Sequence, residues 1–209
     1  MELTIIDKTG KETGKKITLD DNIFGLEPSQ HTVYLEVKQH LANRRQGTHK
    51  AKERAEITGS TKKIKKQKGT GTARAGDIKN PLFKGGGRVF GPRPRSYSFK
   101  LNKAQKRVAK KSALSQKVID NALRVLEDFN LDAPKTKDFS EILNNLSLNN
   151  KKPLFVLGDS NKNVYLSSRN LQGVKVVSFS ELTSYDIMNA TDLVLFESSV
   201  DKIQENLRK

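Results

Sequence analysis

The apolar residues in the last third of the chain form short continuous runs instead of alternating with polar residues. The runs are rich in valine, leucine and phenylalanine, which is typical of strands buried on both faces of a parallel sheet. Mixed polar and apolar stretches separate them, with helix start signals at Ser180 and Ser198. Alternating strands and helices predict parallel βαβ units with helices on both sheet faces. The predicted strands are 153–158, 174–177 and 193–196.

Two further strands are predicted at the start of the chain, at 2–6 and 15–19, with a turn around Gly10 between them. A helix is predicted from Pro28 to about Arg45, because apolar residues recur every four positions along it. The recurring residues are Val33, Val37 and Leu41, with Tyr34 beside them.

A second helix is predicted over 102–121, whose apolar residues can face inward while the cations stay outside. The inward-facing residues are Val108, Leu114 and Val118. Residues 123–126 either continue this helix or begin a strand, and periodicity alone does not decide. These patterns predict an α/β fold, a three-layer sandwich with a mostly parallel sheet of Rossmann-like topology, plus a long irregular basic extension. Residues 1–42 and 99–209 are expected to form the globular domain.

The positive charge is concentrated in one part of the chain. The whole chain has 39 Lys and Arg against 23 Asp and Glu, a net charge of +16. Residues 43–98 hold 16 of the cations and 3 acids, and residues 99–111 add six cations and no acid. The remainder is slightly acidic. This asymmetry predicts a polyanionic partner for the basic stretch.

Residues 43–98 contain too few apolar side chains to fold alone. They hold nine of the fourteen glycines and three of the six prolines. Burial of so little apolar surface cannot offset an ordering cost of about 1–2 kcal/mol per residue. We therefore expect an inserted, extended arm that becomes ordered when phosphates neutralise its charge. Its aliphatic residues and phenylalanines are Ile57, Ile64, Ile78, Leu82, Phe83, Val89 and Phe90.

Two other classes of protein are disfavoured. No run approaches the roughly 20 apolar residues of a membrane-spanning helix, so a membrane is not an expected partner. The first residues lack a basic start followed by an apolar core, so no secretory signal is expected. The chain has no cysteine, which removes disulfides, thiolate metal sites and cysteine nucleophiles.

Two glycine-rich stretches within residues 43–98 are near misses for nucleotide-binding motifs. The segment Gly69–Arg74 begins like a dinucleotide fingerprint, but an arginine stands where the third glycine is required. Gly71 to Gly76 has phosphate-loop spacing, yet Asp77-Ile78 replaces the Lys-Ser/Thr pair of that loop. Neither stretch is predicted to bind a nucleotide, and no cofactor is expected.

Histidines and acids do not form a catalytic or metal-binding set either. His31, His40 and His49 are spaced nine residues apart, which does not stack them on one helix face. Surface or core-edge imidazoles are expected instead. Asp159 and Asp192 flank predicted strands, where α/β active sites lie, but acids at strand ends are commonly caps. We predict no catalytic residue, no metal site and no enzymatic activity.

The pattern that remains in residues 43–98 suits contact with a nucleic-acid backbone. Glycines let the main chain approach phosphates closely, and arginine can grip a phosphate or a base edge through two hydrogen bonds. Phe83, Phe90 and Tyr97 either wedge against exposed bases or ribose, or form a small local cluster. Further hydrogen-bonding side chains are Gln46, Thr48, Gln67, Thr70 and Thr72.

Several blocks in residues 43–98 occur in the order and spacing of a known family. They are Arg45-Gln46-Gly47-Thr48, Arg54-Ala55-Glu56-Ile57-Thr58-Gly59, the segment 67–74, Gly85-Gly86-Gly87 and Phe90-Gly91-Pro92-Arg93-Pro94-Arg95. On these blocks the chain resembles the bacterial form of the large-subunit ribosomal protein L4 (uL4) family, and the resemblance extends over the whole chain. It departs from the family where Ile64 and Lys65 replace proline and tryptophan, and where Thr72 replaces a usual arginine.

The resemblance implies a structural constituent of the large ribosomal subunit, a primary ribosomal-RNA binder whose arm lines the polypeptide exit tunnel. Its expected partners are large-subunit ribosomal RNA, neighbouring large-subunit proteins and, near the arm tip, the nascent peptide. The predicted tunnel-wall residues are Lys62, Lys63, Ile64, Lys65 and Lys66. The predicted RNA-binding residues are Arg44, Arg45, Gln46, Lys50, Lys52, Arg54, Lys68, Arg74, Lys84, Arg88, Arg93, Arg95, Lys100, Lys103 and Arg107.

Two other functions fit a basic arm on an α/β body. An RNA-processing or RNA-modifying enzyme would turn over labelled RNA with magnesium or a methyl donor. A free regulatory RNA- or DNA-binding module would form a stable pool outside ribosomes. Sedimentation with large ribosomal subunits distinguishes the ribosomal function from both.

Overall fold

The computed structural model describes residues 1–208, and the chain divides into two compact units. One unit is Met1–Leu41 together with the chain from Lys100 onward, and the other is Ala42–Phe99. The first unit contains all the strands of the described residues and nearly all of their helical residues. Among residues 1–208, no helix is both long enough and apolar enough to cross a membrane.

The first unit is built on a six-stranded mixed sheet. Its strands are β1 (Glu2–Ile6), β2 (Glu12–Thr18), β3 (Leu123–Leu126), β4 (Pro153–Leu157), β5 (Lys175–Ser178) and β6 (Asp192–Phe196). They lie in the order β2-β1-β3-β6-β4-β5. β1 and β2 pair antiparallel, and every other neighbouring pair is parallel. The predicted α/β class is therefore confirmed.

Helices connect these strands. They are α1 (Asp21–Phe24), α2 (Gln30–Asn43), α3 (Lys103–Ile119), α4 (Thr136–Asn145), α5 (Lys162–Ser168), α6 (Ser184–Asn189) and α7 (Glu197–Arg208). Side-chain caps fix several of their starts, because the first amides of a helix have no partner within it. The Asp20 carboxylate accepts from the Asn22 amide at 2.9 Å, and the Thr183 hydroxyl accepts from the Asp186 amide at 3.1 Å.

Residues 123–126, which periodicity left undecided, form the central strand β3. β3 pairs parallel with both β1 and β6, so hydrogen bonds to two neighbouring strands decide its conformation. The sequence patterns gave no helix for α4, although its Phe139 is fully buried. β2 begins at Glu12, three residues before the predicted start, because the β1–β2 hairpin turns tightly at Gly10 (φ +82°).

Consecutive residues of the central strands enter two separate apolar clusters. In β6, Leu193 and Leu195 belong to one cluster, whereas Val194 and Phe196 belong to the other. β4 alternates in the same way, and all five of its residues are buried. This packing explains why these strands appear in the sequence as continuous apolar runs.

The predicted apolar side of α2 is not part of the core. Tyr34 is 56% and Leu41 46% exposed, and the buried side chain of this helix is Gln39. α2 docks instead through polar groups, because Ser184 donates a hydrogen bond to Glu36 and the His40 and Tyr185 rings stack. Apolar spacing therefore predicted the helix, but the docked side combines polar residues with the half-buried Val33 and Val37.

The helix α3 is buried mainly through small side chains. Leu114 is fully buried, but Val108 is 45% exposed, so its predicted inward position is wrong. The Ser115 hydroxyl donates to the Ile23 carbonyl at 3.1 Å, which brings α3 close to α1. Not all cations of α3 stay in water either, since burial lowers the pKa of Lys110 while Glu36 opposes that shift.

Candidate nucleic-acid interface

Residues 42–99 have no strand and, after α2 ends, no helix, yet backbone hydrogen bonds join their two halves. These bonds are nested, so each connects a residue of the outgoing limb to one of the returning limb. From the base outward, the donor–acceptor pairs are Arg95–Gly47 at 3.1 Å and Ala51–Pro92, Arg88–Lys52 and Ile64–Gly76, each at 3.0 Å. This unit therefore folds back on itself as an irregular hairpin.

Two glycines permit close crossings of the limbs. Gly47 has φ +67°, and a Cβ there would lie 2.1 Å from the Arg95 carbonyl oxygen. A Cβ on Gly87 would lie 2.3 Å from the Arg54 backbone nitrogen. Both distances are shorter than any ordinary van der Waals contact, so only glycine fits at these two positions.

The three acids of this unit each pair with a cation of the same unit. The pairs are Glu53 with Arg93, Glu56 with Lys50, and Asp77 with Arg54. The hydrogen bond from Lys50 is the main cause that holds the pKa of Glu56 below its ordinary value. Ion pairs of exposed side chains such as Lys50–Glu56 and Arg93–Glu53 are weak, because water and salt screen them, so many weak contacts hold this unit together.

Asp77 is the one buried side chain among residues 42–99. It is 8% exposed, and its Oδ2 accepts from the Arg54 guanidinium at 2.9 Å. Its Oδ1 has no hydrogen-bond partner within the described residues. No apolar side chain of residues 42–99 is buried, so this unit has no apolar core.

Near the base of the hairpin, a tyrosine ring gathers two arginines. The guanidinium carbons of Arg45 and Arg95 lie 3.7 and 4.6 Å from the centroid of the Tyr97 ring. The Tyr97 hydroxyl is 3.1 Å from Nε2 of His49, whose ring stacks on that of Tyr97. A hydrogen bond from Arg95 lowers the pKa of Tyr97, and the charges of Arg95 and Arg45 add to the effect.

The far end of the hairpin is lysine-rich and fully in solvent. The chain reverses between Ile64 and Gly76, and positive φ angles at Gly69 (+84°) and Gly71 (+62°) make the turn. Each of the five predicted tunnel-wall residues is exposed.

Every predicted RNA-binding residue from Arg44 to Arg95 has an exposed side chain in this unit. Arg45 and Arg95 share the Tyr97 ring, whereas Arg54 and Arg93 face carboxylates. The remaining three predicted residues belong to the other unit. Lys100, which precedes α3, and Lys103, its first residue, are exposed, and Arg107 within α3 is half-buried.

The residues considered for catalysis or metal binding do not assemble. His31 stacks on Tyr34, and the described residues contain no group of three or more acids or histidines able to hold a metal ion. Asp159 follows β4 and pairs with Lys202 at 2.6 Å. Asp192 is the first residue of β6. It therefore lies at the amino ends of the parallel strands, whereas Asp159 lies at their carboxyl ends.

The sequence did not predict that the Tyr97 ring gathers two arginines, or that the Asp77 carboxylate is buried. Tyr97 was predicted as a wedge or part of an aromatic cluster, whereas its neighbours are Arg45, Arg95 and His49. The separation Arg95-Ser96-Tyr97 was a usable signal, because side chains two residues apart on an extended chain share a face. Nothing in the sequence indicated that Arg45, on the outgoing limb, contacts the same ring.

Known proteins resemble the chain over its whole length. The model of the ribosomal protein L4/L1 family matches residues 17–206. The large ribosomal subunit protein uL4 of Flavobacterium johnsoniae is 66% identical over 209 residues, covering 100% of both chains. The uL4 protein of Christiangramia forsetii is 64% identical over 207 residues, covering 99% of this chain and 100% of its own. That of Parabacteroides distasonis is 55% identical over 208 residues, covering 100% of both.

These matches confirm the family predicted from the blocks between Arg45 and Arg95, and they span both units. The chain therefore belongs to the ribosomal protein L4/L1 family: it is a structural protein of the large ribosomal subunit and not an enzyme.

Proposed function

We propose that the chain binds large-subunit ribosomal RNA chiefly through an arm, residues 43–98, inserted into a globular α/β domain of residues 1–42 and 99–209. The observation that carries this proposal is a segment with 16 cations, exposed arginines and no apolar core. Phosphate groups neutralise such a segment and release its counterions, which is the main sequence-independent source of affinity for nucleic acid. The predicted RNA-binding residues from Arg44 to Arg95 make these contacts.

The globular domain in this proposal is a three-layer sandwich of Rossmann-like topology. Its support is the alternation of β4 and β6 residues between two apolar clusters, together with the parallel pairing of β3, β4, β5 and β6. Parallel strands need crossover connections, which place helices over the sheet faces. Lys100, Lys103 and Arg107 are the RNA-binding residues that this domain contributes.

The arm tip lines the wall of the polypeptide exit tunnel and faces the nascent peptide. Its support is the lysine cluster Lys62–Lys66, exposed beside the chain reversal. Lysine suits a wet wall lined with phosphates, because its charge is compact, mobile and strongly hydrated. A limb of about 20 to 35 residues spans at most roughly 65–120 Å at about 3.3 Å per residue, enough to pass deep into a ribosomal subunit. In the cell, the protein works in the cytoplasm as part of the ribosome, beside neighbouring large-subunit proteins.

Sedimentation tests this function most directly. A tagged copy of the full chain, expressed in cells, should sediment with large ribosomal subunits in a sucrose gradient at physiological salt. A copy without residues 43–98 should stay near the top of the gradient, because the arm carries most of the RNA contacts. Retention of the full chain near the top, with the native subunits further down, would contradict the proposal. A free pool that acts on labelled RNA would favour an enzyme instead.

A further inference from the structure

Arg45 and Arg95 differ from those cations of the arm that form ion pairs. Arg54, Arg93 and Lys50 each face a carboxylate. Neither Arg45 nor Arg95 forms an ion pair within the described residues, although both guanidinium carbons lie within 4.6 Å of one ring centroid. Like charges held close together repel each other, so an anion is the natural complement of this pair.

The ring that gathers these arginines is fixed from several sides. Its hydroxyl is 3.1 Å from Nε2 of His49, and the two rings stack with centroids 6.1 Å apart. The Arg95 amide donates to the Gly47 carbonyl at 3.1 Å, which ties the two limbs together beside the ring. The position of Tyr97 is thus set by residues of both limbs, before any ligand binds.

A groove beside the ring has room for part of a nucleotide. Its volume is about 620 Å³, and its lining includes Tyr97, Arg95, His49 and Phe90, together with Glu53, whose carboxylate is paired with Arg93. Phe90 is fully exposed on this groove and offers a face for stacking. Flat guanidinium groups match a phosphate with two parallel hydrogen bonds, and an exposed aromatic ring accepts any base.

We propose that Tyr97 is a positioning residue that holds Arg45 and Arg95 as a prearranged pair for the phosphates of a ribosomal-RNA strand. This inference rests on the proposed RNA-binding function and adds a specific element to it. Both cations lie over the Tyr97 ring, and apart from the hydrogen bond from Arg95 to Tyr97 their remaining N–H groups can donate outward. Without the ring, the same two charges remain but must be ordered when RNA binds.

The test measures equilibrium binding of the intact protein to a transcript of large-subunit ribosomal RNA. Tyr97→Leu should weaken binding roughly 5- to 30-fold, the loss expected for two cation–ring contacts. Tyr97→Phe keeps the ring and should retain most of the affinity. Tyr34→Leu is the matched control, since Tyr34 also stacks on a histidine and lies under a lysine, but in the globular unit. Its binding should stay unchanged.

A double-mutant cycle separates positioning from simple packing. In an Arg45→Gln, Arg95→Gln background, the Tyr97→Leu change should weaken binding by less than about twofold more, because the groups it positions are gone. The background itself should lower the slope of log affinity against log salt by about 1.4 to 1.8, from two phosphate contacts. An equal loss from Tyr97→Leu in both backgrounds, or no loss in the native one, would overturn the inference.

The same experiment separates this inference from the function on which it rests. If the unmodified protein binds the transcript no better than it binds an unrelated RNA at physiological salt, the proposed function itself fails. If the unmodified protein binds tightly and the Tyr97 variants do not differ from it, only the positioning role fails. Circular dichroism of each variant checks that the globular unit remains folded.

Discussion

The two units of this chain are ordered in different ways. The 32 buried apolar side chains of the described residues all lie in Met1–Leu41 or in the chain from Lys100 onward. In Ala42–Phe99 the buried side chain is the carboxylate of Asp77. The first unit thus has a core driven by the hydrophobic effect, whereas the second is held by backbone hydrogen bonds and ion pairs.

This difference divides stability from binding within one chain. Apolar burial stabilises the first unit in the absence of a partner. The second unit carries a net charge of +13 over residues 43–98, which opposes compaction until an anion neutralises it. The unit that contributes least to folding is therefore the one proposed to contribute most to RNA binding.

The largest expected effect is that of deleting residues 43–98 and joining the ends by a short linker. This deletion should remove RNA binding and leave folding intact. The variant should melt cooperatively as a folded α/β domain, because it keeps every buried apolar side chain. It should also lose most of its affinity for ribosomal RNA. Thermal melting followed by circular dichroism, together with RNA titration, measures both. Non-cooperative melting, or insolubility under all conditions, would show that the arm is needed for folding.

Added salt should weaken RNA binding by the arm far more than it changes the stability of the globular unit. With six to ten phosphate contacts, affinity for ribosomal-RNA fragments should fall by about 10³–10⁵ between about 50 and 200 mM salt, and somewhat less for single strands. The melting temperature of the globular unit should change little over that range, because apolar burial is not screened. A nearly flat plot of log affinity against log salt would mean that charge does not drive binding.

A pair of phenylalanine truncations sharpens the comparison at single residues. Phe155→Ala should lower the free energy of unfolding by about 3–5 kcal/mol, since Phe155 is fully buried and packs edge-on against Phe139 at 5.3 Å. Phe90→Ala in the arm should change it by less than about 0.5 kcal/mol, because Phe90 is fully exposed. Urea denaturation of both variants checks this, and similar losses in the two would contradict it.

The smallest expected effect is local to the arm tip. Lys63→Glu should leave the yield of large subunits normal, because the other cations of the arm still hold it. It places a carboxylate among phosphates, so repulsion should shift the tip and alter the response to tunnel-binding inhibitors or stalling peptides. Lys137→Glu, an equally exposed change on α4, is the control. Unchanged responses and unchanged RNA footprints would refute the tunnel-wall role, and failed assembly would make Lys63 an anchor instead.

The α/β class and the segregation of charge could be predicted without any structure. Continuous apolar runs such as 153–158 are visible because strands buried on both faces have no polar side. The basic stretch 43–98 is visible because net charge and the lack of apolar residues are properties of composition. Neither conclusion requires knowing which residues touch, and the family blocks added the ribosomal assignment.

Which side chains are in contact depends on the folded structure. β3 became a strand because β1 and β6 hydrogen-bond to it from both sides, and α3 turned Val108 outward because small residues face α1. Arg45 and Arg95 met on Tyr97 because the hairpin closes at Gly47. Contacts between residues far apart in the chain depend on the path of the backbone through the fold. Local periodicity does not predict that path.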